Sequence, residues 1–308
     1  MLHKLNLGIE YLDRHLSEEI QKDDFQRKTG IPYYHFSKVF SAVAGIGVSE
    51  YLRNRRLSES AKDLLSGDFK VIDIAFKYMY TTHESFTRAF KKFHGISPSE
   101  TKQKRSSIYF YPPLSFQITV KGESKMKYRV SEKKKIKIIG RKADIIIEKG
   151  KNDIWVKEFW NNFVNKGDLD KVKPFENELG LMGVAYNIDI ENMTASYIVG
   201  IFATEEMHID GMDEVTLPET KYLIFERSGA LPDNLDEFKD KIYKEFIPTS
   251  DFVLNPIAEI EVYFQGGVKS KDFYFESWIS IKWQENIYIY IKQKNKSSVG
   301  EWENKSLN

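Results

Sequence analysis

IDIAFKYMYTTHESFTRAFKKFHGISPSE, residues 72–100, has the pattern of two short amphipathic helices separated by a turn. Phe86 and Phe90 follow the turn at the four-residue spacing of one helix face. Thr82 is suited to cap the second helix, while Gly95 and Pro98 are suited to end it. A short helix, a tight turn and a second amphipathic helix make a helix-turn-helix, whose second helix enters the major groove of DNA. The stretch therefore predicts one such unit.

The same design occurs fifty residues earlier in EEIQKDDFQRKTGIPYYHFSKVFSAVAG, residues 18–45. Gly30 supplies the turn, and Pro32 suits the start of the second helix. Phe36 and Phe40 align with Phe86 and Phe90, and a helix over residues 52–65 separates the two units. One chain is thereby predicted to enter two successive major grooves, which lie about 34 Å apart on B-DNA.

The inward phenylalanines determine which side chains should face outward from the two predicted recognition helices. In the first unit, Tyr34, His35, Ser37 and Lys38 are expected on or near the outer face. In the second unit, the side chains expected to point outward are His83, Glu84, Ser85 and Arg88.

Composition limits the remaining classes of function. The absence of cysteine excludes disulfides, thiol nucleophiles and iron–sulfur clusters, and the six histidines have no paired metal-ligand spacing, so we expect no metal and no cofactor. No apolar run reaches eighteen residues, which predicts a soluble, cytoplasmic protein without a membrane partner. Residues 1–106 carry a net charge of +5 and the remainder −4. A basic N-terminal region suits a polyanion such as double-stranded DNA as its partner.

Near residue 105 the pattern changes from helical spacing to strands rich in Tyr, Ile, Val and Phe. Two helical stretches, 153–165 and 233–247, interrupt these strands in the order strand, helix, strand, strand over about 128–203, and again over about 214–282. The predicted architecture is an all-α double helix-turn-helix domain followed by an α+β domain with two pseudo-symmetric βαββ halves and a ligand pocket between them. The predicted boundaries are 1–105 for DNA binding, 106–126 for a linker and entry strand, 127–292 for the second domain and 293–308 for a disordered tail.

The first hundred residues resemble the AraC/XylS family of transcription regulators. The resemblance rests on YLRNRRLSESAKDLL (residues 51–65), the stretch quoted first, and YYHFSKVF (residues 33–40) before a glycine. It implies that the first recognition helix contacts bases through Tyr34, Ser37 and Lys38, and the second through His83, Glu84, Ser85 and Arg88. For Lys38, a contact to phosphate alone is the alternative. Two positions depart from the family pattern: Gln26 stands where alanine is usual, and Met79 where glycine is usual.

Residues 107–282 resemble the GyrI-like effector-binding domain, through PPLSFQITVKG (residues 112–122), DIWVKEFWNNF (residues 153–163) and YFESWISI (residues 274–281). The resemblance implies an apolar pocket for aromatic, often cationic, compounds, with a carboxylate inside it. Strand alternation puts Glu276 and Trp278 on one face and Phe275, Ser277 and Ile279 on the other. Glu276 is the first candidate for the carboxylate and Glu261 the competing one; the candidate pocket walls are Trp160, Tyr186, Tyr197, Tyr263 and Trp278.

The sequence therefore predicts a DNA-binding regulator, with a small-molecule effector and RNA polymerase as partners, acting as a monomer or homodimer. Two alternatives stay open for the second domain. It is a ligand-independent dimerisation or partner module if its pocket is filled by its own side chains, or a hydrolase if a Glu and an aromatic residue act on the bound molecule. No Ser-His-Asp arrangement, phosphate loop or acid pair favours an enzyme.

Overall fold

A computed structural model describes residues 1–67, 69–117, 126–147, 152–190, 192–228, 235–264 and 274–282. The chain divides into two compact units, Met1–Val120 and Lys121–Asn308, which are described separately below. The predicted tail, 293–308, lies outside the described residues. Within the described part of the chain, no helix has the length and apolar character needed to cross a membrane.

The first unit is helical, as predicted. Its α-helices are α1 (Leu2–Arg14), α2 (Lys22–Thr29), α3 (Tyr33–Ala44), α4 (Val48–Ser66), α5 (Val71–Lys77) and α6 (His83–His94). The pairs α2–α3 and α5–α6 form the two helix-turn-helix units, and α4 packs against members of both. Phe36, Phe40, Phe86 and Phe90 are fully buried, which confirms the inward stripe predicted from their spacing.

The chain after α6 belongs to the helical unit for longer than the sequence indicated. Residues 108–117, here called the connecting segment, form no strand and pack on the helices. The backbone N–H of Tyr111 donates to Ser58 Oγ at 2.9 Å, and the N–H of Phe116 donates to Asn6 Oδ1 at 2.8 Å. The predicted entry strand is therefore wrong for this part of 106–126, and the unit boundary falls after Val120 rather than near residue 105.

The described part of the second unit combines eight strands with helices on one face of the sheet. The strands are β1 (Tyr128–Lys133), β2 (Ile136–Ile146), β3 (Leu181–Asp189), β4 (Thr194–Ala203), β5 (Asp213–Leu217), β6 (Thr220–Ser228), β7 (Val253–Tyr263) and β8 (Tyr274–Lys282). The main helices are α7 (Asn152–Asn165), α8 (Asp168–Val172) and α9 (Leu235–Lys241), and α9 continues into a π-helical turn, Ile242–Phe246.

The sheet contains the two predicted βαββ halves, each preceded by one further strand. Its order is β1-β6-β8-β7-β3-β4-β2-β5, so β2, β4 and β3 make one half, β6, β8 and β7 make the other, and β3 pairs with β7 at the junction. The preceding strands are exchanged, because β1 pairs with β6 of the second half and β5 pairs with β2 of the first.

The sheet must curl strongly. Only three residue steps, at most about 11 Å, join the end of β1 at Lys133 to the start of β2 at Ile136. Those strands are first and seventh in the sheet, which would place them about 29 Å apart if it were flat. The rings of Phe202 on β4 and Trp278 on β8 lie 5.7 Å apart although two strands separate β4 from β8, so the face that carries both is concave.

Strand alternation gives the sheet two different cores. The concave face buries a cluster that includes Met182, Tyr222, Ile260 and Trp278. The opposite face, called the helix-covered face, buries Tyr197 and Val199 against α7, and Phe225 and Phe275 against Phe238 of α9. Away from the register shifts at Tyr186–Asp189 and Leu254–Glu259, the position of a residue along its strand therefore shows which of the two environments its side chain enters.

Candidate functional site

The outer face of α6 carries the second set of predicted DNA-contacting residues. His83, Glu84 and Arg88 are exposed, and Ser85 is half-buried. Thr82 caps the helix by accepting the N–H of Ser85 at 3.1 Å, while Ser85 Oγ donates back to the Thr82 carbonyl at 2.8 Å. An exposed arginine can donate two hydrogen bonds to guanine, and an exposed carboxylate can accept from cytosine. The α6 face thus has the chemistry for base recognition.

The outer face of α3 differs from the prediction. Tyr34 and Lys38 are half-buried, but His35 and Ser37 are completely buried, so their predicted exposure is wrong. The physical reason is the number of neighbours, since α1, α2 and α4 all pack on α3. His35 lies on the same side of the helix as the buried Val39, and Ser37 lies on the same side as the buried Phe40. The buried side of α3 is therefore wide enough to include His35 and Ser37. Tyr34 and Lys38 are the predicted contacts that stay accessible on α3.

Two arginines of α4, Arg55 and Arg56, have structural roles. Arg55 is buried; its Nε donates to Asp13 of α1 at 2.7 Å, and its Nη1 lies 3.0 Å from Glu59 and donates to the Tyr111 carbonyl of the connecting segment. Arg56 Nε donates to the Leu16 carbonyl at 2.8 Å. These contacts hold α1 and the connecting segment on α4, so the two arginines position the scaffold on which α3 and α6 lie.

A carboxylate surrounded by aromatic side chains lies on the helix-covered face, at the junction of the two halves of the sheet. Glu261 on β7 is buried, and its Oε2 accepts from Tyr263 Oη at 2.6 Å. The Tyr263 ring meets Trp160 of α7 edge to face at 5.2 Å, and Trp160 Nε1 donates to Tyr197 Oη at 3.0 Å. Lys239 of α9 forms an ion pair with Glu261 Oε1. These five residues are called the Glu261 cluster.

The tyrosine hydroxyls of the Glu261 cluster stay protonated. Burial, reinforced by the charge of Glu261, raises the pKa of Tyr263 well above its usual value. The same two causes raise the pKa of Tyr197. Tyr263 is therefore a permanent hydrogen-bond donor to the carboxylate, and Glu261 keeps one oxygen for a cation.

Two small residues, Gly183 and Ser277, lie against the Glu261 cluster, and neither was predicted from the sequence as part of the site. A Cβ at Gly183, the register partner of Glu261, would lie 2.2 Å from Tyr197 Oη, so only glycine leaves room for that hydroxyl. Ser277 pairs with Glu261 from the other side, and its Oγ is buried without a hydrogen-bond partner among the described residues. Alternation along β8 placed Ser277 on this face, but nothing in the sequence marked its neighbour as Glu261.

Glu276, the first candidate carboxylate, lies on the concave face instead. Its Oε1 accepts from Arg129 Nη2 at 2.8 Å and from Tyr274 Oη at 2.9 Å, and its Oε2 accepts from Trp278 Nε1 at 2.6 Å. Arg129 also pairs with Glu226. Both oxygens of Glu276 thus accept hydrogen bonds from donors of this chain.

The predicted ligand-binding residues therefore do not form one pocket. Trp160, Tyr197, Glu261 and Tyr263 come together, whereas Tyr186, Glu276 and Trp278 face the concave core. The two competing carboxylates thus lie in different environments, because Glu276 pairs with Val262, and the neighbouring residues Glu261 and Val262 point to opposite faces of the sheet. The helix-covered group combines a buried carboxylate with ring faces and edges, an arrangement suited to an aromatic cation.

Comparison with known families agrees with this geometry. Residues 129–291, more than half of the chain, match the model of the integron-associated effector binding protein family. The chain belongs to this family. Residues 26–104 match a helix-turn-helix domain model, and this range contains the end of α2 and all of α3–α6; the domain is of the AraC type. The α+β unit is accordingly called the effector-binding domain from here on.

The curated relatives match the helical unit. The transcriptional activator AarP of Providencia stuartii is 37 % identical over 89 residues, which are 29 % of this chain and 66 % of AarP. The probable transcription factor PqrA of Proteus vulgaris is 34 % identical over 87 residues, 28 % of this chain and 71 % of PqrA. The right origin-binding protein of Escherichia coli K12 is 33 % identical over 106 residues, 34 % of this chain and 37 % of that protein. The chain thus spans between about a third and about two thirds of these relatives.

Solved structures resemble the effector-binding domain. SAV2435 bound to tetraphenylphosphonium has a TM-score of 0.46 and 19 % identity, covering 51 % of this chain and 94 % of SAV2435. The integron cassette protein VCH_CASS2 of Vibrio cholerae has a TM-score of 0.37 and 14 % identity, covering 50 % of this chain and 95 % of that protein.

Proposed function

We propose that the protein is a sequence-specific DNA-binding transcription regulator, and that its effector-binding domain senses an aromatic cation through the Glu261 cluster. The proposed DNA binding is supported mainly by the presence of two similar recognition helices. Helices α3 and α6 are both twelve residues long, begin fifty residues apart and each end at a left-handed glycine, Gly45 or Gly95. Two such helices in one chain suit a site that spans two successive major grooves, and RNA polymerase is the proposed partner at the promoter.

The base contacts are tested first on α6. We expect Arg88→Ala to weaken binding to a site selected from random DNA by ~1–3 kcal/mol, because a bidentate contact to guanine is lost, while binding to unrelated DNA changes little. Lys38→Ala should weaken both kinds of binding alike and lower the salt dependence, as for a phosphate contact. Fluorescence anisotropy over a range of salt concentrations measures both. Equal loss on selected and unrelated DNA for Arg88→Ala would refute base recognition by this residue.

The proposed effector binding is supported by the buried carboxylate of Glu261 and the aromatic rings beside it. A cation next to Glu261 gains ionic attraction and cation–π attraction of ~0.5–2 kcal/mol, and both are stronger where water is excluded. We expect Glu261→Gln to weaken the affinity for tetraphenylphosphonium at least tenfold, about 1.4 kcal/mol, in calorimetric titration of the full chain. Glu276→Gln is the matched control, since Glu276 lies on the opposite face with three donors of its own. Loss of affinity in Glu276→Gln alone would move the site to the concave face.

A further inference from the structure

The cation beside Glu261 comes from the chain itself. Lys239 of α9 forms an ion pair with Glu261 Oε1, while Tyr263 holds the other carboxylate oxygen. A buried carboxylate requires a partner, because removal from water without compensation is unfavourable. Lys239 supplies that partner in the absence of an effector. It therefore occupies the position in which the effector's positive charge is needed.

We propose that Lys239 is a built-in counter-ion of the effector site, which an aromatic cation must displace from Glu261 in order to bind. The inference rests on the proposed effector function and deepens it by naming the residue that sets affinity and charge selectivity. An ammonium tethered to the same domain competes at a high effective concentration, so it lowers the apparent affinity for every external cation.

The two partners of the ion pair differ in their exposure. The Lys239 side chain is 41 % exposed and that of Glu261 only 11 %. The ammonium therefore reaches the carboxylate from the solvent side, and it can swing into water without being buried elsewhere. Glu261 is fixed in β7 and has no such freedom. Displacement thus requires movement of the lysine and not of the sheet.

The pairing also explains how the site would distinguish charge. A cationic ligand that removes Lys239 restores a counter-ion to Glu261, whereas a neutral ligand of the same shape leaves the carboxylate unpaired. Ser277 Oγ, buried beside Glu261 and without a partner among the described residues, can donate to the oxygen that Lys239 vacates. Its hydroxyl is one donor and does not replace a positive charge, so the preference for cations remains.

Helix α9 is placed to respond to this displacement. Phe238, the neighbour of Lys239, packs edge to face on Phe225 of β6 and Phe275 of β8. The seven residues of α9 lead directly into the π-helical turn Ile242–Phe246, a geometry that is rare and concentrated at functional positions in helices. Loss of the ion pair removes a polar contact between α9 and β7, while Phe238 keeps its contacts with Phe225 and Phe275.

The test compares variants of two lysines on the same helix in the full chain. Lys241 is the control, because it pairs with Glu237 at 2.7 Å, within α9 itself. We expect Lys239→Gln to bind tetraphenylphosphonium about tenfold or more tightly than wild type in calorimetric titration, since the competitor is gone. Lys241→Gln and Lys239→Arg should bind as wild type, because both keep a cation on Glu261. Tetraphenylborate, an anion of the same shape, should bind none of these variants.

The outcomes separate this inference from the proposed function. If wild type binds the cation and Glu261→Gln loses it, but Lys239→Gln binds no more tightly than Lys241→Gln, the displacement inference is overturned and the effector function stands. If wild type binds no cation and Glu261→Gln changes nothing, the effector function fails and the inference fails with it. Circular dichroism of each variant verifies folding, and Lys239→Arg repeats the comparison with the charge retained. Tighter binding by Lys239→Arg would also overturn the inference.

Discussion

The two recognition helices are equal in length and in their buried phenylalanine pairs, yet they present different surfaces. Helix α6 exposes His83, Glu84 and Arg88, whereas α3 buries His35 and Ser37. The turns before them also differ, because a glycine has positive φ in the first unit and a methionine in the second. The comparison shows that a repeated sequence pattern determines which residues of a helix face the core. The neighbours of the helix determine how much of its outer face remains.

The largest expected difference between the two helices is in their response to acid. Burial, with a smaller contribution from the charge of Lys4, lowers the pKa of His35 to about 4, whereas His83 is exposed. Above pH 6.5 the His35 ring is neutral in both the folded and the unfolded chain. Between pH 6.5 and about 4 the unfolded chain binds a proton that the folded chain does not, so folding loses stability as the pH falls, by about 3 kcal/mol in all.

Replacement of each histidine by leucine tests this difference. His35→Leu should flatten the decrease in unfolding free energy between pH 7 and pH 4 relative to wild type, and His83→Leu should leave it unchanged. Urea unfolding followed by circular dichroism at 222 nm measures the free energy at each pH. His94, whose pKa burial also lowers, is present in all three proteins and cancels in the comparison. Parallel curves for wild type and His35→Leu would show that the buried ring does not control acid stability.

Prediction from sequence succeeded where spacing alone decides the structure. The phenylalanine pairs located both recognition helices, and alternation along β8 put Glu276 and Ser277 on opposite faces. It failed where distant elements decide. Periodicity shows which residues lie on the same side of a helix, but not how much of the helix surface is buried. Ser37 was therefore predicted to be exposed although it is buried. Alternation does not show which sheet face the helices cover, so it does not by itself decide between Glu276 and Glu261.

Some contacts had no sequence signal. Lys239 is one of many surface-type lysines until the fold brings α9 over β7, and Arg129 reaches Glu276 only because β1 is exchanged into the second half of the sheet. Arg55 is similar, since its partners Asp13 and Tyr111 lie far from it in sequence. Pairings of this kind depend on topology, which local residue patterns do not specify.

The smallest expected effect concerns the turns, where the two units again differ. Met79 has φ 69° and Gly30 has φ 70°, in the left-handed region that costs a residue with a side chain about 1–2 kcal/mol. The glycine that the family pattern has at position 79 would remove this cost, less the entropy that glycine loses on folding. Because the Met79 side chain is 44 % exposed, its loss sacrifices little packing. Met79→Gly should therefore raise the unfolding free energy by up to about 1 kcal/mol.

The reverse substitution in the first turn is the matched control. The atoms nearest to a Cβ at Gly30 would be those of the flexible Lys4 side chain, at 3.6 Å or more, so Gly30→Ala introduces the left-handed cost without a clash. We expect it to lower the unfolding free energy by about 1 kcal/mol in the same urea titration. A gain in unfolding free energy for Met79→Gly together with a loss for Gly30→Ala would show that both turns require a left-handed backbone. The methionine in the second turn is then a residue poorly suited to that backbone. A loss of stability in both variants would instead mean that Met79 makes contacts worth more than the strain of its backbone.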